Sequence, residues 1–556
     1  MKYRGLTDEE IMLLEDHGCK AEDWNSIYVA YDFTAQHIYR VRFGGEVYLG
    51  ERLHMEDVGI IRTTDGATYG EGNIISVLNE AGPGNVMLFS GLTSQLAALM
   101  VAHAEDAQFR TNIQRLIADY VKQNTPAGTT IGNGVTISNC RELTNVNIGD
   151  ECELYGVSRL VDCTLKSTTE ASIYLGDDVI CDNVIIQAGS SVVDGARLYS
   201  SYVGEACHVG RGFTSECSVF FANSHMDNGE ACAAFCGPFS VSHHKSTLVI
   251  GGQYSFYNAG SGTNFSNHAY KMGPIHYGVM ERGAKSASGS HILWPAQIST
   301  FSMVMGKLEN HPDTTLLPFS YIISSAGATY IVPGRNLCTV GTYRDVYKWP
   351  KRDRRANDVR QSHICYDWLS PYTIQRVLRG REVLEQLQKE QGENAASYSY
   401  NGCIIKNSAL KKGLRYYDLA LRMYFGQIDA DATLPSTSVG GGNWVDLGGL
   451  LMPESEELQI VDDVVSGKAK ELSLVAKALT TAYENYKNYR WAWTYTAICD
   501  YHRLDTLSSD DVARIREEGA RANVEWLLHI MRDAEREYEL GDVSEEQLKD
   551  FIESIK

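Results

Sequence analysis

Along the middle of the chain, aliphatic residues followed by small or turn-forming ones return about every six positions. They include Ile131-Gly132-Asn133-Gly134, Ile137-Ser138-Asn139, Ile148-Gly149-Asp150, Leu154 and Leu160. A second stretch keeps closer time through Ile186, Val192, Leu198, Val203 and Val209, with Gly, Asp or Ser close behind. Six-residue recurrence fits neither the 3.6-residue period of a helix nor the alternation of a hairpin strand. It fits a coil with three short flat faces, in which each hexad supplies one strand and one corner, and three hexads close a rung of roughly eighteen residues. The aliphatic residue fills the interior, and Gly, Asn or Asp takes the left-handed conformation that the corner demands.

Other periods flank this one. Thr7 and Glu10 have the spacing of a capping box and open a short helix that ends at His17-Gly18. Extended segments follow, including 38–50. Leu92, Leu96, Leu99, Met100, Ile113, Leu116, Ile117 and Tyr120 then mark one or two amphipathic helices across 91–123. Beyond about 356 the pattern is helical: Ile374, Val377, Leu378, Leu384 and Leu387 share one face, and Leu410, Leu414, Tyr417, Leu421 and Tyr424 another. Residues 435–443 read as a loop, with long helices over 455–498 and 508–540.

The hexads resemble those of the hexapeptide-repeat, left-handed parallel β-helix proteins, best known as acyltransferases and as C-terminal domains of nucleotide-sugar pyrophosphorylases. The likeness is good over 128–215 and weakens towards 340. In addition, Ser242-His243-His244-Lys245-Ser246-Thr247, Asn258 through Asn264, and Lys271-Met272-Gly273-Pro274-Ile275-His276 resemble a bacterial family of uncharacterised proteins across most of the chain. The resemblance implies a β-solenoid with a helical insertion and an all-α C-terminal domain, assembled as a homotrimer. Acyl or nucleotidyl transfer is the implied chemistry, with acetyl-CoA or a nucleotide as the possible donor. The expected organisation is an N-terminal helical and extended cap over 1–37, first strands with the insertion over 38–127, the left-handed β-helix over 128–345 with loop excursions at 220–311, and helices over 346–556. No glycine-rich nucleotide loop of a pyrophosphorylase precedes the repeat.

Composition narrows the setting. Fifty Lys and Arg against seventy Asp and Glu leave a net charge of −20, which repels phosphate backbones and anionic lipid. Neither nucleic acid nor a membrane is therefore an expected partner. No apolar run reaches the roughly 18 residues of a bilayer crossing. The acidic N-terminus lacks an export signal, so the expected location is cytoplasmic. Thirteen scattered cysteines without a CxxC pair suggest reduced, buried thiols.

A rigid coil places chemistry where its repeat breaks. Seven of fifteen histidines fall between 220 and 311: His225, His243, His244, His268, His276, His291 and His311. An imidazole takes up a proton near neutral pH, and a neighbouring ammonium holds an anion. His243, His244, His268 and His276 are the candidate general bases, and Lys245, Asn264, Lys271, Arg282 and Lys285 the candidate substrate-binding residues. The expected ligand is a small anionic molecule, a phosphorylated or nucleotide-linked sugar. The glycine turns Gly251-Gly252 and Gly260-Ser261-Gly262 match neither dinucleotide-binding nor P-loop spacing. His225 and Asp227 beside Cys217, Cys232 and Cys236 have no recognised ligand spacing, and no metal is expected. The basic run 348–355 reads as a linker that pairs with acidic surface. The aromatics Tyr483, Tyr486, Tyr489, Trp491, Trp493 and Tyr495 read as packing. The alternative to a transferase is a noncatalytic trimeric scaffold or sensor whose helical domain binds a partner.

Overall fold

Parallel pairing of short strands, each one rung further along the chain, builds left-handed β-solenoid in the described residues of 20–266 and of 278–323. The computed structural model describes residues 2–80, 82, 84–266, 278–357, 360–541 and 544–555. They fall into two compact units. The first comprises Met1–Tyr277, Asp353–His363 and Asp463–Ala476, and the second Gly278–Arg352, Ile364–Asp462 and Lys477–Lys556.

In the first unit the commonest rung is seventeen residues long, with longer and shorter ones such as Arg159 opposite Ile180 and Thr214 opposite Glu230. Thr136 lies opposite Glu153, Ser191 opposite His208, and His208 opposite His225. The buried interior positions Val192, Leu198, Val203, Val209, Ser215, Phe220 and Met226 show how it closes: two steps of six alternate with one of five. Corners carry left-handed residues such as Asp194, Ser200, Ala206, Arg211, Cys217, Asn223 and Asn228, with φ between 45° and 60°. A left-handed alanine or arginine costs about 1–2 kcal/mol. The rungs above and below hold each corner by ladder hydrogen bonds, so the conformation persists.

The stretch expected to leave the coil from residue 220 stays in it as far as it is described in this unit. Strands at His225–Asp227, Glu230–Cys232, Phe235–Cys236, Val241–Ser242, Leu248–Ile250 and Gln253–Tyr254 all pair in parallel with the rung before them. Their interior is Met226, Ala231, Cys236, Ser242, Val249 and Tyr254, so the aliphatic rhythm fades while the backbone continues. The larger departure lies earlier, between His54–Arg62 and Thr129–Ile131. It holds a two-stranded hairpin, Ile74–Ile75 with Val86–Met87, and the helices Ser94–Ala102 and Ala107–Asn124. Tyr202 donates its hydroxyl to the Leu92 carbonyl at 2.5 Å and Gln187 its amide to the Ser90 carbonyl at 2.9 Å, which fastens the insertion to the coil. The Thr7 and Glu10 capping box forms as its spacing predicts.

The end of the basic run is internal to this unit. Arg355, with its side chain 3% exposed, binds both carboxylate oxygens of Asp353 at 2.9 and 2.8 Å and lies 3.8 Å from Glu205. Glu205, on the coil, accepts the backbone N–H groups of Gln361 and Ser362 at 2.7 and 3.0 Å. Its partners are thus a coil carboxylate and an adjacent aspartate rather than an acidic helix face.

In the second unit the coil keeps strict hexads. Val279 lies opposite Gln297, Lys285 opposite Met303, and Met303 opposite Tyr321, each eighteen residues on. Met280, Ser286, Ile292, Ile298 and Val304 are buried at exact six-residue intervals. The antiparallel pair Tyr321–Ser325 and Ala328–Val332 ends it and is extended by Cys403–Lys406 and Ser397–Tyr400. Helices dominate thereafter, including Pro371–Gln391, Asn407–Phe425, Tyr486–His502 and Ser509–Leu540, with one further hairpin at Trp444–Leu447 and Leu450–Pro453.

Two expected anion-binding residues are consumed by this unit's own structure. Arg282 is 1% exposed and donates from Nε and Nη2 to the Asp446 carboxylate at 2.8 and 3.2 Å, and from its two Nη atoms to the carbonyls of Cys365 and Gly449 at 2.7 and 2.9 Å. Lys285 pairs with buried Asp345 and donates to the Gly341 carbonyl at 3.2 Å. Both cations neutralise internal carboxylates.

Removing one member of a buried pair strands the other charge, at a cost of about 3–5 kcal/mol. Asp446→Ala strands Arg282 and is expected to lower the denaturation midpoint accordingly, while Glu205→Ala leaves the N–H groups of Gln361 and Ser362 without their acceptor and is expected to cost about 1–3 kcal/mol, both measured by urea titration of the full chain. Glu382→Ala, which breaks the exposed pair of Glu382 with Arg379, is the control and leaves the midpoint unchanged within error. Equal effects in all three would contradict the assignment of the first two as buried anchors.

Candidate functional site

On one face of the first unit's coil, register stacks imidazoles. Ser191, His208 and His225 occupy equivalent positions on three successive rungs, followed by Val241. Two residues further along the same strands stand Val193, Gly210, Asp227 and His243. Alternation along a strand keeps residues two apart on the same side, so Asp227 shares the outward face of His225. Asp227 is nevertheless 3% exposed, because its carboxylate lies back against the wall between the two rings.

The distances are short. Nε2 of His225 lies 3.0 Å from Oδ2 of Asp227, and Nε2 of His208 lies 3.2 Å from Oδ1. Nδ1 of His208 shares a hydrogen bond of 2.8 Å with the Ser191 hydroxyl. Arg211, largely exposed, places Nε 3.6 Å from Oδ2 of the same carboxylate. The ring centroids of His208 and His225 are 4.6 Å apart, those of His225 and His243 6.0 Å, and those of His243 and His244 4.2 Å. Four imidazoles therefore run along one wall beside one buried carboxylate. Asn228 donates its amide to the His243 carbonyl at 3.2 Å and ties that corner to the rung below.

Partial burial and the neighbouring His225 push the His208 pKa down from its ordinary value, while Asp227 opposes them. The ring is held neutral near pH 7 and keeps a lone pair for a proton or a ligand.

The structure brings together only part of the expected site. His243 is half-buried, and His244 and Lys245 are exposed beside it at the end of the imidazole series. His268, His276 and Lys271 lie outside the described residues. Asn264 stands on a different face, in the column of Thr214, Glu230 and Leu248, and its Oδ1 is buried without a hydrogen bond. Arg282 and Lys285 belong to the second unit, as do His291, whose pKa burial lowers, and His311, bonded to the Leu293 carbonyl at 3.1 Å. Ser191, His208, Gly210 and Asp227 gain their importance from the fold. A seventeen-residue step counted back from His225 reaches His208 and then Ser191, and that step is the signal in the sequence that finds them.

The thiols stay apart from this cluster. All thirteen cysteines are free and eleven are buried. Burial pushes the Cys140 thiol up to about 11 and that of Cys207 up to about 12, so neither is a nucleophile at neutral pH. Cys217, Cys232 and Cys236 do not join His225 and Asp227.

The second unit has a cavity of 840 Å³ lined in part by Asp367, Tyr424, Tyr486, Arg490 and Trp491. The Arg490 guanidinium lies 5.2 Å over the Tyr424 ring, and Asp367 accepts the Tyr486 hydroxyl at 2.9 Å. The aromatic cluster of the sequence thus divides between this wall and buried packing positions such as Trp493.

An uncharacterized protein of Treponema pallidum (strain Nichols) is 20% identical over 606 aligned residues, covering 90% of this chain and 82% of that protein. Residues 429–544 match a domain of unknown function (DUF6819). Residues 3–56 and 49–388 match another (DUF4954), together more than half of the chain, and the protein belongs to that DUF4954 family.

Proposed function

We propose that the protein is a transferase of the hexapeptide-repeat type that takes a phosphorylated or nucleotide-linked sugar at the imidazole-bearing wall of its first unit. The observation that carries this reading is the gathering of His208, His225, His243 and His244 on one face, with the cations Arg211 and Lys245 beside them.

His244, exposed at the end of the series, accepts the proton of the acceptor hydroxyl as its oxygen bonds to the transferred group. The leaving group then takes that proton back from the imidazolium. Lys245 neutralises the substrate phosphate, which a chain of charge −20 otherwise repels. A rigid wall cannot close round a substrate, so a neighbouring copy in a homotrimer completes the pocket in this reading. The donor is acetyl-CoA or a nucleotide.

A thermal-shift panel of acetyl-CoA, nucleotide sugars and sugar phosphates tests the reading. A ligand at one hundred times its Kd adds about 2.7 kcal/mol. At least one member is expected to raise the Tm, and His244→Ala or Lys245→Ala to abolish that rise while leaving the unliganded Tm unchanged. A panel without a hit contradicts the transferase reading and favours a noncatalytic scaffold.

A further inference from the structure

We infer that His208, His225 and Asp227 form a binding site for one divalent first-row transition metal ion of the zinc type. The three side chains each offer one ligand atom, all within 4.8 Å of one another. A tetrahedral ion with bonds of about 2.0–2.1 Å needs ligand atoms roughly 3.3 Å apart. Nε2 of His225 is 3.0 Å from Oδ2 and Nε2 of His208 3.2 Å from Oδ1, so each nitrogen already lies at about that distance from one oxygen of the carboxylate.

Two features distinguish this cluster from an imidazole pair resting on a carboxylate. Oδ1 of Asp227 is buried and accepts no hydrogen bond, although Nε2 of His208 is its near neighbour. If Nδ1–H of His208 donates to Ser191, its Nε2 lone pair faces that oxygen, and a cation held between them satisfies both acceptors. The second feature is room. Gly210 is the residue opposite Asp227, and a Cβ there would sit 3.0 Å from both Oδ1 of Asp227 and Nε2 of His208. The space that an ion needs is kept open by a missing side chain.

The ligand set also fits. Two neutral imidazoles and a carboxylate suit zinc, cobalt or nickel better than calcium or magnesium, which take oxygen ligands. The Ser191 hydroxyl fixes the orientation of the His208 ring as outer-shell partners of metal-bound histidines do. Three protein ligands leave a fourth position for water, the arrangement of a reactive rather than a closed structural site. This inference does not require the transferase reading: His244 and Lys245 lie outside the ligand set, so loss of substrate binding and loss of metal are separate results.

The test uses the full chain, stripped with a chelator, dialysed against Zn²⁺ or Co²⁺ and analysed for bound metal by mass spectrometry. One ion per wild-type chain is expected, retained in His244→Ala and lost in Asp227→Asn, His208→Gln and Gly210→Ala. Ser191→Ala is expected to weaken affinity about 10–100-fold. His225→Gln, altering a half-exposed ring, gives a ligand variant least disturbing to the fold, and far-UV circular dichroism checks each protein. Bound Co²⁺ should show visible d–d bands without thiolate charge transfer. A folded wild type that retains no ion, retention at the wild-type level by folded His225→Gln or Asp227→Asn, or a thiolate band would overturn the site.

Discussion

In-register stacking of coils is the constraint on which the first unit depends. Each rung donates its backbone N–H groups to the carbonyls of its neighbour, so a residue and its counterpart one rung on lie a single strand spacing apart, about 4.8 Å. Interior positions consequently form continuous apolar columns, and outward positions form columns of whatever chemistry the sequence places there. The imidazole series is one such column, and the carboxylate of Asp227 reaches the rings of two rungs because those rungs cannot slide. A slip of one residue would turn His225 inward and Met226 outward.

Polar anchors supplement that ladder where the chain leaves it. Tyr202 and Gln187 hold the helical insertion, and Glu205 with Arg355 holds the returning segment 353–363. In the second unit Arg282 with Asp446 does equivalent work between a coil corner and a hairpin. Such pairs repay their desolvation only when every charge is met, which is why these guanidiniums are fully engaged by carboxylates and carbonyls. A locally basic stretch of sequence can therefore mean internal neutralisation rather than a binding pocket.

The solenoid was legible because Ile, Val and Leu fill its interior from Ile131 to Val209. Its rung length was less so: steps of six dominate the visible pattern, and the single shorter step per turn, as between Leu198 and Val203, passes as noise. Strict hexads do occur, from Met280 to Val304, but a serine and a methionine among the aliphatic residues hide them. The same dilution made residues 220–266 read as a departure from the coil. Of the candidate site, His243, His244 and Lys245 announced themselves as a cluster in sequence. His208 and Ser191 did not, since their proximity to His225 arises from a step of seventeen that only the register reveals. Arg282 was misleading because its partner, Asp446, lies far along the chain. The helices were easier: Thr7 with Glu10 and the apolar stripes of 91–123 state local structure directly.

The most direct measurement of the register itself is a distance along one column of the first unit. Glu142, Arg159, Ile180, Arg197, Thr214 and Glu230 lie opposite one another in turn, which separates the first from the last by five strand spacings. Nitroxide labels on encoded ketone side chains at 142 and 230, read by double electron–electron resonance, should give a narrow distribution centred near 24 Å, the sum of those spacings. A broad distribution, or one centred well away from that value, would contradict the stacked coil and the imidazole column built on it.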